Sequence, residues 1–109
     1  MRYLLDPSAV LGHVYGHRPT TTLVGRLVDE GGELCTTDVV MIECLSRGTE
    51  AERAVIGDFL DALTYIPITP SVAREAAAIQ RSTGPGLAEA LLAAAAASVD
   101  ATLVRLPPG

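Results

Sequence analysis

Three acidic residues stand where the sequence predicts burial rather than solvation. Asp6 follows the apolar run RYLL at positions 2–5, Glu43 lies inside the apolar segment 39–45, and Glu89 precedes the alanine-rich run 90–97. A buried carboxylate is costly unless a cation or a hydrogen-bond donor compensates it. Carboxylate oxygens are also preferred ligands of Mg²⁺ and Mn²⁺, which can activate water for attack on a phosphodiester. The three acids are therefore candidate metal ligands and catalytic residues.

The same acids have a purely structural interpretation. Asp6 can cap the helix that follows it, Glu43 can pair with an arginine, and Glu89 can interact favourably with a helix dipole. Any acidic chain offers three carboxylates, so their spacing does not separate the two interpretations.

The composition indicates one globular domain over residues 1–109 and excludes several kinds of site. Hydrophobic residues make up 49% of the chain and charged residues 19%, which favours a packed core over disorder. Only Cys35 and Cys44 are present, without a CxxC pair, so neither a disulfide framework nor structural zinc is expected. No apolar run approaches the roughly 20 residues of a membrane span, and no secretory signal is recognisable, so we expect a cytoplasmic protein.

The charge balance limits the choice of partners and chemistry. All eight basic residues are arginine, and 13 acids bring the net charge to −5. This disfavours a general nucleic-acid binder, because affinity for phosphate depends on basic side chains. Without lysine, neither Schiff-base chemistry nor a receiver-type phosphotransfer site with a lysine beside the phosphate is available.

The sequence also predicts the strands and helices that could position these acids. Strands are predicted at 2–5, 33–36, 65–68 and 101–105, separated by helices or helix pairs. Ser8 can cap the first helix, and Thr49 with Glu52 matches a capping box. This alternation predicts an α/β fold with a central parallel sheet of about four short strands and helices on both faces. Sites in such sheets open at the carboxyl ends of the strands, where Asp6 stands.

Three segments resemble, in order, the motifs of the PIN-domain family, especially its VapC toxins. Residues 3–10 (YLLDPSAV) resemble the first motif, an apolar strand ending in Asp-x-Ser-Ala. Residues 36–45 (TTDVVMIECL) resemble the second motif, whose metal-site glutamate corresponds to Glu43. Residues 87–96 (LAEALLAAAA) resemble the third, in which Glu89 takes the position of the usual aspartate.

The resemblance implies a three-layer PIN-like fold and a metal-dependent endoribonuclease that acts as the toxin of a toxin–antitoxin pair. Asp6, Glu43 and Glu89 would be the catalytic and metal-binding residues, with Mg²⁺ or Mn²⁺ as cofactor. Ser8 would support the site by hydrogen bonding to Asp6 or to a metal-bound water. The implied partners are a small antitoxin protein, an RNA substrate and a second copy of the chain in a homodimer.

The sequence departs from the family pattern at two positions. Glu89 is one methylene longer than aspartate, and Pro107 stands where the pattern has a fourth acid or an asparagine after the last strand. Arg105 precedes it and could contact a phosphate or simply be exposed. An alternative function is therefore a catalytically degenerate PIN-like domain that acts as a binding or regulatory partner.

Overall fold

A computed structural model describes residues 1–106, in which four parallel strands form one sheet flanked by six helices. The strands are β1 (Arg2–Leu5), β2 (Glu33–Thr37), β3 (Thr64–Ile66) and β4 (Ala101–Val104). The helices are α1 (Pro7–Val14), α2 (Arg18–Asp29), α3 (Asp38–Leu45), α4 (Glu50–Asp61), α5 (Pro70–Thr83) and α6 (Leu87–Ser98).

The strand order β3-β2-β1-β4 places β1 inside the sheet. Leu4 pairs with Cys35 of β2 and Leu103 of β4, and Leu5 pairs with Val104. Leu4 and Leu5 are both fully buried although their side chains point to opposite faces, as expected for a parallel strand covered on both sides. The carboxyl end of β1 therefore emerges from the middle of the core.

The crossover connections divide the helices between the two faces. The steps from β1 to β2 and from β2 to β3 run in one direction, and the step from β3 to β4 runs back across the sheet. With right-handed crossovers, α1 to α4 cover one face and α5 and α6 the other. Accordingly, α1 packs against α2, α3 and α4, whereas α5 packs along α6 and α6 contacts β4 and β1. The predicted α/β fold with helices on both faces is confirmed.

Local signals account for several element boundaries. The Thr49 hydroxyl accepts a hydrogen bond from the Glu52 N–H at 3.1 Å, and Glu52 Oε1 accepts one from the Thr49 N–H at 2.9 Å, which confirms the capping box. The third strand ends at Ile66 rather than at 68, because Pro67 has no N–H to continue the ladder. Pro107 lies outside residues 1–106, and the single domain over 1–109 stays a prediction.

Candidate functional site

Asp6 lies at the carboxyl end of β1 and is buried, with 9% of its surface exposed. Its Oδ1 accepts hydrogen bonds from the Ser8 hydroxyl at 2.6 Å and from the Ala9 N–H at 2.9 Å. Its own N–H donates to the Val104 carbonyl of β4 at 3.0 Å. No donor among residues 1–106 contacts Oδ2. The carboxylate is thus held firmly through one oxygen while the other stays available to a ligand.

The first helix begins two residues earlier than a cap at Ser8 predicts. Asp6 is its N-cap and Pro7 its first residue, so the expectation that Ser8 caps this helix is wrong. Proline is favoured at the first helical position because its fixed φ suits the helix and its missing N–H would have no partner there. The cap role of Asp6 offered by the structural interpretation is therefore real, and it uses only Oδ1.

Ser8 instead connects two segments that are far apart in the sequence. Its hydroxyl donates to Asp6, as expected for a supporting residue, and accepts a hydrogen bond from the Leu106 N–H at 3.2 Å. The turn after β1 and the segment after β4 are therefore fastened together beside the Asp6 carboxylate. No local pattern in the sequence indicates the contact with Leu106.

Glu43 lies on α3 and is exposed, so its predicted burial is wrong. Val40 and Cys44, one helical turn apart, form the buried side of this short helix, and the intervening positions turn outward. Ile42 is 66% exposed for the same reason. Glu43 opens onto a cleft of about 480 Å³ that it shares with Pro7, Leu11, Ser46 and Arg47.

Cys44 lies between the neighbourhood of Asp6 and that of Glu43. Its sulfur lies 4.0 Å from the carbonyl oxygen of Pro7, the residue that follows Asp6. Burial raises the pKa of the Cys44 thiol, and the negative charges of Glu43 and Asp6 add to this effect. Together they bring the pKa to about 11. The Cys44 thiol is therefore influenced by the charges of two carboxylates, one from α3 and one from the end of β1.

Glu89 lies in the first turn of α6 and is also exposed, contrary to the prediction. Its Oε2 forms a salt bridge with Arg105 Nη2 at 2.8 Å, just beyond β4, and the two side chains are 48% and 50% exposed. Because Arg105 precedes Leu106, which is bonded to Ser8, Glu89 borders the same corner of the sheet as Asp6. The salt bridge pairs two exposed side chains of opposite charge.

The three predicted acids surround the carboxyl end of β1 without forming a finished metal site. Within residues 1–106, no group of three or more Asp, Glu, His or Cys side chains is arranged to hold a metal ion. The donor types fit a hard divalent cation, and Oδ2 of Asp6 is open. Glu43 and Glu89 are exposed, and Glu89 would have to leave Arg105 before it could serve as a ligand.

Two arginines offset the acidic charge around this corner. Arg47 lines the cleft next to Glu43, and Arg105 lies beside Glu89. Guanidinium groups match phosphate geometry, and local cations of this kind are what a chain with a net charge of −5 needs to contact a polynucleotide.

The described part of the chain contains no helix long and apolar enough to cross a membrane.

Comparison with known proteins identifies relatives over nearly the whole chain. The PIN domain family pattern matches residues 3–106. Ribonuclease VapC19 of Mycobacterium tuberculosis, found in two strains, is 29% identical over 106 residues, which cover 93% of this chain and 85% of the relative. A crystal structure of VapBC2 from Rickettsia felis, bound to a promoter DNA fragment, superposes with a TM-score of 0.79 at 18% identity, covering 96% and 86% of the two chains.

Proposed function

Since the chain belongs to the PIN domain family, we propose that it is a VapC-like endoribonuclease, the toxin of a toxin–antitoxin pair, which hydrolyses RNA phosphodiester bonds. The observation that carries this proposal is the buried Asp6 at the end of the central strand, with one oxygen fixed by Ser8 and Ala9 and the other open. The likeness to a ribonuclease named VapC19 supports the activity.

Divalent-metal dependence is general in PIN-domain VapC ribonucleases, and we propose Mg²⁺ or Mn²⁺ here, held by Asp6, Glu43 and Glu89. When bound, such an ion supplies Lewis-acid charge beside the scissile phosphate and makes water a better nucleophile. Asp6 anchors the site because its carboxylate is buried and cannot turn away. Glu43 and Glu89 would complete the site, and Glu89 would have to leave Arg105 to do so.

The other residues of the corner bind and orient the substrate. Ser8 fixes the rotamer of Asp6 and ties the site to the segment after β4. The cleft beside Glu43 receives the RNA backbone, and Arg47 neutralises a phosphate there.

The partners follow from the family. A small antitoxin protein neutralises the toxin, RNA is the substrate, and two copies of the chain form a homodimer in the cytoplasm. The complex named VapBC2 supports the pairing with an antitoxin. Ile42 and Leu87, each 66% exposed, are apolar side chains that a protein partner or a second copy could cover.

The test is a calorimetric Mn²⁺ titration together with an RNA cleavage assay on the wild type and Asp6→Asn. Asparagine is as good an N-cap as aspartate, so this variant removes the charge while keeping the start of α1. We expect saturable Mn²⁺ binding and metal-dependent cleavage in the wild type, and the loss of both in Asp6→Asn. Asp58→Asn, an exposed acid on α4, is the matched control and should behave as the wild type.

The degenerate binding domain remains a second candidate because Glu89 is paired with Arg105 instead of facing Asp6. It predicts antitoxin binding without Mn²⁺ binding or cleavage by the wild type. Cleavage that is unchanged in Asp6→Asn would contradict both functions as assigned to this site.

A further inference from the structure

A second pocket lies beside β3, at the opposite edge of the sheet from β4 and Arg105. We name it the edge pocket: it is a cavity of about 370 Å³ between β2, the edge strand β3, and the helices α3 and α4. Thr36, Asp38, Asp61 and Tyr65 contribute its polar groups. None of these side chains takes part in the proposed nuclease site.

Thr36 provides the first indication that the edge pocket binds something. The residue is only 2% exposed, and its hydroxyl has no hydrogen-bond partner within residues 1–106. Thr36 pairs in register with Tyr65, so the two side chains point to the same face of the sheet and into this pocket. The neighbouring Thr37 hydroxyl, by contrast, donates to the Ile66 carbonyl at 2.5 Å. A buried hydroxyl normally has a hydrogen-bond partner. The unpaired Thr36 hydroxyl therefore indicates that a group entering the pocket could supply one.

The two carboxylates at the pocket give it a negative charge. Asp38 Oδ1 accepts a hydrogen bond from the Tyr65 hydroxyl at 2.5 Å, and Asp61 is exposed at the end of α4. Neither acid has a salt-bridge partner in the described part of the chain. The hydrogen bond to Asp38 raises the pKa of Tyr65, so at neutral pH the phenol stays protonated and remains a donor to Asp38.

The remaining walls favour an organic cation over a metal ion. Met41, Leu60 and Leu63 line the pocket, and hard cations require several oxygen ligands and waters rather than apolar walls. The half-exposed Tyr65 ring can stack on a cation. A guanidinium combines all these contacts, because it is planar, weakly hydrated and able to bond a carboxylate through two N–H groups.

We propose that the edge pocket binds an arginine side chain of a separate, basic partner chain. The net charge of −5 favours a basic partner over a second copy of this acidic chain. The pocket also adjoins β3, which within residues 1–106 pairs with β2 alone, so its outer backbone edge can meet a polypeptide. The guanidinium bonds Asp61 and Asp38, the Thr36 hydroxyl meets its N–H groups, and the aliphatic stem packs on the apolar wall.

The probe is N-acetyl-arginine amide, titrated into ¹⁵N-labelled full-length protein and followed by amide chemical shifts. N-acetyl-citrulline amide, which has the same shape without the charge, is the matched control ligand. We expect saturable shifts around Thr36, Asp61 and Tyr65 with the arginine compound at millimolar concentration, and about tenfold weaker binding of the citrulline compound.

Three variants assign the binding to the edge pocket. Asp61→Asn should weaken arginine binding about tenfold, and Asp58→Asn on the same helix should leave it unchanged. Thr36→Val removes a hydroxyl that has no partner, so the free protein should be as stable as the wild type or more stable, while arginine binding weakens. A destabilised Thr36→Val variant that binds arginine normally would show that the hydroxyl serves the fold alone.

Three results would overturn the proposal. Equal binding of the arginine and citrulline compounds would remove the role of charge, and the absence of saturable shifts would remove the site. Sedimentation that shows self-association of the wild type, lost in Asp61→Asn, would assign the occupant to a second copy instead of a separate chain.

Discussion

Replacement of Arg105 by glutamine should strengthen the binding of Mn²⁺ at the proposed nuclease site. The Arg105 guanidinium holds the Glu89 carboxylate at 2.8 Å. A metal ion that takes Glu89 as a ligand has to displace this guanidinium, so part of the binding free energy is used to break the salt bridge. Arg105→Gln removes this competitor and keeps a polar side chain of similar length.

The size of the effect follows from the exposure of the pair. The side chains of Arg105 and Glu89 are 50% and 48% exposed, so solvent screens their attraction. Exposed salt bridges contribute about 0–1 kcal/mol, which limits the gain from releasing Glu89 to roughly fivefold in affinity. Loss of one positive charge next to a divalent ion acts in the same direction and is also screened by salt.

The assay is calorimetry with Mn²⁺ at two salt concentrations, with Arg2→Gln as the matched control. Arg2 forms a salt bridge with Glu33 at 3.3 Å, with exposures of 52% and 46%, at the amino end of β1. Removing this second pair should leave Mn²⁺ affinity unchanged because it is remote from Asp6. The gain in Arg105→Gln should shrink at high salt.

Unchanged or weaker binding of Mn²⁺ by Arg105→Gln would refute the reasoning. It would mean that Glu89 does not coordinate the ion, or that Arg105 itself supports the site. Loss of binding in Glu89→Gln would then separate these cases, because only the second keeps Glu89 as a ligand.

The remaining predictions concern stability and thiol reactivity. Thr49→Ala removes the N-cap of α4 and should lower the free energy of unfolding by about 1 kcal/mol in urea titrations, whereas Thr22→Ala, an exposed position inside α2, should not. Gly32→Ala should destabilise the protein in the same assay, because its Cβ would lie 2.7 Å from the Leu27 carbonyl oxygen; equal stability would show that the backbone there can move. With a pKa of about 11, the Cys44 thiol should be almost entirely protonated at pH 8 and react with a disulfide reagent much more slowly than in the urea-unfolded chain; equal rates would contradict its burial.

Most of the fold can be predicted from local sequence signals. The capping box at Thr49 and the proline after Thr69 mark helix starts through contacts within four residues, and the apolar strands are short and bounded by turn residues. The third strand was extended two residues too far because Ile68 fits a strand, while Pro67 prevents one.

The site was predicted less completely, because its geometry depends on helix phase and long-range pairing. Apolar neighbours on both sides of Glu43 suggest burial, but only the packing of α3 decides which side of so short a helix faces inward. The salt bridge of Glu89 with Arg105 joins the start of α6 to the end of β4, and no local pattern indicates it. The edge pocket likewise requires the register of Thr36 with Tyr65.

The hydrogen bonds that join Asp6 to β4 and Ser8 to the segment after it prevent the site from forming before β4 is in place. Ser8 and Leu106 are separated by 98 positions, and β4 pairs directly with β1. Contacts of such high sequence separation require the closure of a long loop and slow the folding of a domain. During synthesis, Asp6 leaves the ribosome early but gains its β4 partner only when the last strand has emerged. A chain made only as far as α6 thus carries Asp6 without the partners that assemble the proposed nuclease site around it.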